Sequence, residues 1–313
     1  MECVLLGSGG MMPMPHRLLT SVAVKTGGRL YLFDAGEGTQ IGLKAARMGL
    51  GRLAVLAVTH LHADHCLGLP GILMLRSQIP NPCPLAVLGP PGIREFVLSN
   101  QRLLGFHLAP PVRFVEWAEN RSPVAWEDEA VRISWLPLEH TRFCLGYRLE
   151  EPDRPGRFHA EKAEALGIPS GPLRGRLQRG ETVMLPDGTE ITPADILGPR
   201  RRGRRIAYAV DTRPVEAVIE LCRGVDLAFL DGMFHSAEAE HAREKGHMTV
   251  AEAARAARKA GARRCVLVHL SPRYQDEDLD RLEQEARKEH PRAAMGRDLQ
   301  RFDVPLPGDE AAP

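Results

Sequence analysis

The sequence predicts an α/β fold carrying one long insertion, and three observations predict it. Short apolar runs bounded by glycine, proline or aspartate recur along the chain (Leu53 to Val58, Ile206 to Val210, Cys265 to Val268) and read as strands buried on both faces. Segments with helical spacing alternate with them, the pattern of a sheet with helices packed against it. Residues 150 to 205 break this alternation with proline, glycine and arginine, and so read as an excursion from the main fold.

With 313 residues, 43% of them hydrophobic, the chain is long enough to bury a sizeable core. No run of about 18 apolar residues occurs, which argues against a membrane span. The N-terminus enters a strand at Cys3-Val4-Leu5-Leu6 without a basic region or cleavage site, so a cytoplasmic protein is expected. Six cysteines (Cys3, Cys66, Cys83, Cys144, Cys222, Cys265) form no CxxC pair and read as reduced thiols. A net charge of +1 supplies no global field toward nucleic acid, so any such affinity must come from local patches.

Taken in order, Glu2 to Leu6 is a strand and Gly7-Ser8-Gly9-Gly10 a turn. The glycines lack the GK[ST] ending of a phosphate-binding loop, and Pro13 and Pro15 follow instead of a helix. Ser21 to Thr26 and Arg29 to Phe33 alternate as a hairpin closed by Gly27-Gly28. Asp34 opens a helical stretch running to about Met48; as a carboxylate at a strand end it is also placed to orient metal-bound histidines. Leu69 to Arg76 and Gly92 to Leu104 read as helices around a strand at Leu85 to Leu88. Val112 to Leu138 holds short strands whose Trp117, Trp126 and Trp135 are core or sheet-face residues. Cys144 to Leu149 resumes a strand. In the excursion, Ala160 to Leu166 is periodic, and from Pro172 to Arg205 eight arginines face four acids. Beyond it come strands at Ile206 and Asp226 to Asp231, helices at Ser236 to Lys245 and Val250 to Ala260, and a last strand ending in His269. The tail, 305–313, has little to fold with.

The chemistry is concentrated at Thr59-His60-Leu61-His62-Ala63-Asp64-His65-Cys66-Leu67-Gly68, directly after the buried run Leu53 to Val58. Three imidazoles and a carboxylate within six residues cannot be packed as ordinary core, because each buried polar atom needs a partner. A polar surface turn is the competing explanation; a divalent metal supplies the partner. His140, Asp211 and His269 also end strands, and open α/β sheets gather functional groups at strand ends. Grouped this way, His60, His62, His140 and Asp211 suit a first ion, and Asp64, His65, Asp211 and His269 a second. Two adjacent ions lower the pKa of a shared water toward about 7 and stabilise both attacking and leaving oxygens, which is machinery for hydrolysis. His16, His107, His159, His235, His241 and His290 lack a strand-end setting and read as surface or packing residues.

The HxHxDH pattern resembles the signature of the metallo-β-lactamase superfamily. Over nearly its whole length the chain further resembles the ribonuclease Z family of tRNA 3′-processing endonucleases. The marks are Phe33 to Gln40, Thr59 to His65 with Gly68-Leu69-Pro70-Gly71, Leu145 to Arg148, Asp211-Thr212-Arg213, Pro172 with Leu177 and Gly180 to Val183, His247-Met248-Thr249, and His269 to Tyr274. The resemblance implies an αββα metallo-β-lactamase sandwich: one hydrolase domain over 1–313, with a flexible arm inserted at 150–200 to bind tRNA. It implies the same seven metal ligands, two Zn²⁺ per chain with Mn²⁺ also suited to so oxygen-rich a set, and precursor tRNA as substrate. A homodimer is implied as well, each arm serving the partner's cleft. Asp64 would handle a proton, His247 would donate one to the leaving oxygen with Asp231 supporting it, and Arg273 would hold phosphate. Arg17, Gly171, Pro172, Arg174 and Arg176 complete the expected RNA contacts.

Two stretches depart from the family pattern. Its histidine-glutamate-alanine-threonine run is here Leu230-Asp231-Gly232-Met233, so the carboxylate beside His247 is one methylene shorter. Of the lysine, arginine and asparagine in its proline-rich loop, Pro13 to Leu18 keeps only Arg17. Two other functions compete: a hydrolase of small phosphodiesters or other esters, which the retained arm disfavours, and a catalytically weak RNA-binding protein, which the complete ligand set disfavours.

Overall fold

The computed structural model describes residues 1–108, 111–118 and 122–308. Its strands are β1 (Glu2–Gly7), β2 (Ser21–Thr26), β3 (Arg29–Phe33), β4 (Leu53–Ala57), β5 (Leu85–Gly89), β6 (Val112–Glu116), β7 (Val124–Glu127), β8 (Arg132–Leu138), β9 (Cys144–Glu150), β10 (Val183–Met184), β11 (Glu190–Ile191), β12 (Arg205–Ala209), β13 (Leu227–Asp231), β14 (Cys265–Val268), β15 (Ala293–Met295) and β16 (Gln300–Asp303). They form two seven-stranded sheets, ordered β16-β1-β2-β3-β4-β5-β6 and β15-β14-β13-β12-β9-β8-β7, with β10 and β11 paired separately. Each large sheet joins an antiparallel part to a parallel one, β3 to β6 in the first and β12 to β15 in the second.

The unbroken apolar runs follow from burial on both sides of each sheet. Val55 and Ala57 of β4 and Ala86 and Leu88 of β5 face a core shared with Ile206, Tyr208, Phe229, Val266 and Val268 of the other sheet. Their neighbours Leu53, Leu56, Leu85 and Val87 point the opposite way, onto Leu43, Leu69, Ile72, Ile93 and Val97 of the helices outside. The second sheet repeats the arrangement, with Ala207, Ala209, Cys265 and Leu267 packed against Val218, Leu221, Val250 and Ala254. The layers are therefore helix, sheet, sheet, helix. Trp135 is fully buried between the sheets, with Trp117 and Trp126 packed against the same core.

Most boundaries agree with the sequence reading, and four features differ. The helix expected from Asp34 is Thr39–Ala45, because Asp34 (φ 56°) and Gly38 (φ 85°) hold the chain in left-handed turns before it. The helix expected over Ser236 to Lys245 is a 3₁₀ turn, Ser236–Glu238, followed by Ala239–Lys245. Past His269 the sequence reading placed no element, yet a helix at Leu279–Glu289, β15 and β16 follow, and β16 covers the outer edge of β1. Leu279, Leu282 and Ala286 are the apolar stripe of that helix and were a readable signal, whereas strands of three and four residues carry too little periodicity.

The chain divides into two compact units, one of residues 1–150 with 204–305 and one built on 151–203. The inserted unit has its own core: Ala163, Ile168, Leu177, Val183, Ile191 and Ile196 are buried together between short helices and the β10-β11 pair. The excursion is thus folded, despite its loop-like composition. Of the tail 305–313, positions 309–313 lie outside the described residues.

Candidate metal centre

Every strand end singled out in the sequence arrives at one cluster. Asp34 follows β3, His60 to His65 follow β4, His140 follows β8, Asp211 follows β12, Asp231 ends β13 and His269 follows β14. Asp34, Asp211 and His269 adopt positive φ (56°, 52° and 62°), a conformation that costs about 1–3 kcal/mol at a non-glycine residue and so marks where the fold over-determines the backbone. The close approach needs glycine at two places. A Cβ on Gly68 would lie 2.1 Å from the Gly36 carbonyl oxygen, and one on Gly10 would lie 2.5 Å from the His269 ring.

Three groups of ligand atoms lie within 4.8 Å of one another: His60, His62, His140 and Asp211; Asp64, His65 and His269; and Asp211, Asp231, His247 and His269. Asp211 joins the first two, with Oδ2 3.6 Å from Nε2 of both His60 and His140, and Oδ1 3.3 Å from His65 Nε2 and 3.2 Å from His269 Nε2. Ring nitrogens confront one another across the same space: His60 Nε2 and His62 Nδ1 at 2.8 Å, His62 Nδ1 and His140 Nε2 at 3.3 Å, His65 Nε2 and His269 Nε2 at 3.1 Å.

The far side of each ring fixes its tautomer. His140 Nδ1 donates to the Gly246 carbonyl (2.9 Å) and His65 Nδ1 to Asp34 Oδ2 (2.8 Å), so in the neutral rings Nε2 carries the lone pair. Lone pairs and carboxylate oxygens therefore point at one another in a buried space. Asp211 Oδ1 and His269 Nδ1 are buried with no hydrogen-bond partner among the described residues. Such a set is repulsive until a cation occupies it, and nitrogen and oxygen donors in this number suit a divalent ion. It is a metal-binding cluster.

Electrostatics within the protein agree. Burial drives the pKa of His60 far down, and lowers those of His62 and His140. Burial opposes charge on His65 too, but the Asp211 and Asp34 carboxylates outweigh it and raise its pKa. Burial likewise opposes ionisation of Asp211, where His269 and His65 prevail and hold the carboxyl well below its usual range. At Asp64 the His269 hydrogen bond and the His65 charge overcome burial in the same direction.

Several supporting groups gave no signal in the sequence. Asp34 accepts from the Thr59 amide (2.7 Å), the Thr59 hydroxyl and the Tyr208 hydroxyl (2.9 Å). The Met11 amide donates to Asp64 Oδ2 at 2.7 Å. Backbone groups are silent in a sequence, and Tyr208 reads as strand core.

His247 stands beside the cluster, its ring stacked on His269 with centroids 5.3 Å apart. Its Nδ1 donates to Asp231 Oδ2 at 2.8 Å, so the shorter side chain still reaches. Burial opposes charge on this imidazole, but Asp231 outweighs it and raises the pKa to about 9. Arg273 is held by Glu238 and lies over the Phe234 ring at 5.1 Å. Arg17 donates to the Tyr274 carbonyl (3.0 Å) and to Asp276 (2.9 Å). In the inserted unit, Gly171 (φ 130°) and Pro172 start the helix Pro172–Gln178, Arg174 donates to the Ile168 carbonyl (2.8 Å), and Arg176 to Glu181 (2.9 Å).

Known proteins bear on this geometry. Residues 18–78 match the model of the metallo-beta-lactamase superfamily and residues 177–270 that of a beta-lactamase superfamily domain. Ribonuclease Z of Treponema denticola is 39% identical over 298 residues, 95% of this chain and 96% of that protein. The ribonuclease Z of Methanosarcina acetivorans is 39% identical over 305 residues, 97% and 98% of the two chains. The solved structure of the short form of human tRNase Z shares the fold at a TM-score of 0.70 and 24% identity, over 98% of this chain and 100% of that one. Among the described residues no helix is long and apolar enough to cross a membrane. A helix-sheet-sheet-helix sandwich with its histidines and aspartates gathered at the strand ends, joined to near full-length identity with these enzymes, makes the chain a member of the ribonuclease Z family within the metallo-β-lactamase superfamily.

Proposed function

We propose that the chain is an endoribonuclease that hydrolyses the phosphodiester joining the 3′ trailer to precursor tRNA, with two zinc ions held by His60, His62, His140, Asp64, His65, His269 and the shared Asp211. The observation carrying this reading is Asp211, whose two carboxylate oxygens face two separate sets of imidazole nitrogens. When bound, divalent ions would activate the attacking water and offset charge on the phosphate. The chain's own residues do the remainder. Asp64, fixed by the Met11 amide, is a carboxylate that can take a proton from the nucleophile. His247 has Nδ1 engaged by Asp231, which leaves Nε2 to give a proton to the departing ribose oxygen. Arg273, oriented by Glu238 and Phe234, is a guanidinium for a neighbouring phosphate.

On this reading the inserted unit grips the tRNA body, and the protein works in the cytoplasm as a homodimer. Exposed apolar side chains on three adjacent helices, Ile41, Met74, Leu75, Leu98, Leu103 and Leu104, support self-association. The test is to incubate the purified protein with an end-labelled precursor tRNA, with and without a chelator, and to map the products. A cut at the 3′ end of the acceptor stem that is lost on chelation and restored by zinc is expected. Turnover of a small phosphodiester without cleavage of the precursor would overturn the tRNA assignment.

A further inference from the structure

We propose that Arg154 and Arg201 of the inserted unit form a phosphate clamp for one nucleotide of the RNA strand; this rests on the reading that the unit binds tRNA. The two residues face each other across an antiparallel bridge, with Arg154 N to Arg201 O at 2.8 Å and Arg201 N to Arg154 O at 3.0 Å. Opposed residues of such a pair put their side chains on the same side, and like charges there repel unless an anion lies between them. Neither arginine makes an ion pair among the described residues. Arg201 offers Nε to the Pro155 carbonyl (3.2 Å), and Arg154 buries Nε and Nη2 with no hydrogen-bond partner. Buried donors of a charged group without acceptors are costly, and a phosphate relieves that cost after a modest side-chain rotation. Arg154 keeps part of its surface in solvent, so an anion can approach.

The other arginines of the unit differ. Arg174 is engaged by the Ile168 carbonyl, and Arg176 and Arg179 share Glu181. The charge free to meet RNA is thus at the bridge, not on the helix Pro172–Gln178. Beside it, a cavity of about 390 Å³ lined by Pro155, Gly156, Arg179, Pro193, Leu197 and Arg200 has room for the sugar and base attached to the clamped phosphate.

The experiment measures KM and kcat for precursor tRNA against salt concentration, using the full chain and R154Q/R201Q. Losing the clamp should raise KM tenfold or more while kcat stays within twofold. The slope of log(kcat/KM) against log salt should flatten by about 1.4 to 1.8, from a release of about 0.7 to 0.9 counterion per phosphate contact. R154K/R201K, which keeps both charges, should retain most of the slope. Several results would overturn the clamp: KM and slope unchanged in R154Q/R201Q, or both double variants impaired equally with the slope intact, which is a folding role. Millimolar inorganic phosphate that raises KM of the natural protein but not of R154Q/R201Q, with equal salt slopes in the two, would assign the pair to free phosphate and overturn the RNA role. Replacing residues 151–203 with a short linker separates the two readings. If that change raises KM while R154Q/R201Q does not, only the clamp fails; if it leaves KM unaltered, the tRNA-binding reading of the unit fails first.

Discussion

Asp34 Oδ2 lies 2.8 Å from His65 Nδ1, and the same oxygen accepts the Tyr208 hydroxyl at 2.9 Å. The carboxylate thereby fixes the tautomer that turns His65 Nε2 toward Asp211, and Tyr208 fixes the carboxylate. Removing a group that orients a metal-bound histidine typically weakens metal affinity about 10- to 100-fold. Asp34→Ala should show a loss in that range when zinc is titrated against a chromophoric chelator. Tyr208→Phe keeps the ring between the sheets and removes one hydrogen bond, so it should cost about 1 kcal/mol in urea unfolding with a smaller effect on metal. Equal metal affinity in Asp34→Ala and the natural protein would remove Asp34 from the site.

Asp211 is the one carboxylate whose two oxygens reach both sets of imidazoles. Asp211→Ala should lose at least one metal per chain by elemental analysis, together with nearly all cleavage of precursor tRNA. Two tightly held metals and normal turnover in the variant would refute the shared-ligand assignment.

How far the sequence discloses this site depends on which atoms do the work. His60, His62, Asp64 and His65 announce themselves because so many polar donors crowd one strand end, and His140, Asp211 and His269 because each closes an apolar run. The metal cluster was legible for that reason. The Met11 amide, the Gly246 carbonyl and the cleft-facing side of Gly10 were not, since backbone positions carry no letter of their own. Arg174 and Arg176 were singled out by composition, which counts charges without their partners; only coordinates reveal that Ile168 and Glu181 already engage them. The inserted unit misled in the same way, because a small core of Ile168, Leu177 and Ile196 is diluted among proline, glycine and arginine.

Asp128 predicts an acid limb of stability. It accepts from Arg29 (3.0 Å) and Tyr31 (3.0 Å) of the first sheet, and from Trp126 (3.2 Å) and the Ala130 and Val131 amides (2.8 and 2.9 Å) of the second sheet and its connecting turn. Burial opposes its charge, but the Val131 and Ala130 amides with Trp126 and Tyr31 prevail and lower its pKa below the ordinary 3.8. A depressed folded value means that this contribution is complete above 3.8 and is lost as pH falls through the folded pKa. Urea midpoints should therefore drop between pH 5 and the acid range less steeply in Asp128→Asn than in the natural protein, and the variant should be less stable at neutral pH. Parallel pH curves for the two proteins would contradict the assignment.

His247 is assigned as proton donor on two grounds. Both ligand sets are complete without it, and Asp231 raises its pKa to about 9, so the imidazole holds its proton at neutral pH. A departing ribose oxygen needs a proton, and a positioned acid typically contributes about 10²- to 10⁴-fold. His247→Ala should keep its metals and slow precursor cleavage within that range. The loss should shrink on a nitrophenyl phosphodiester, whose leaving group is already stable as an anion. The proton must be present for the step, so kcat should fall as pH rises through the His247 pKa. Asp231→Asn removes the charge that raises this pKa, and should move the fall to lower pH. If His247→Ala slows both substrates equally with metals intact, the residue orients phosphate and the proton comes from elsewhere. If the alkaline limb stays in place in Asp231→Asn, Asp231 holds the backbone through Met233 and Thr212 without tuning the acid.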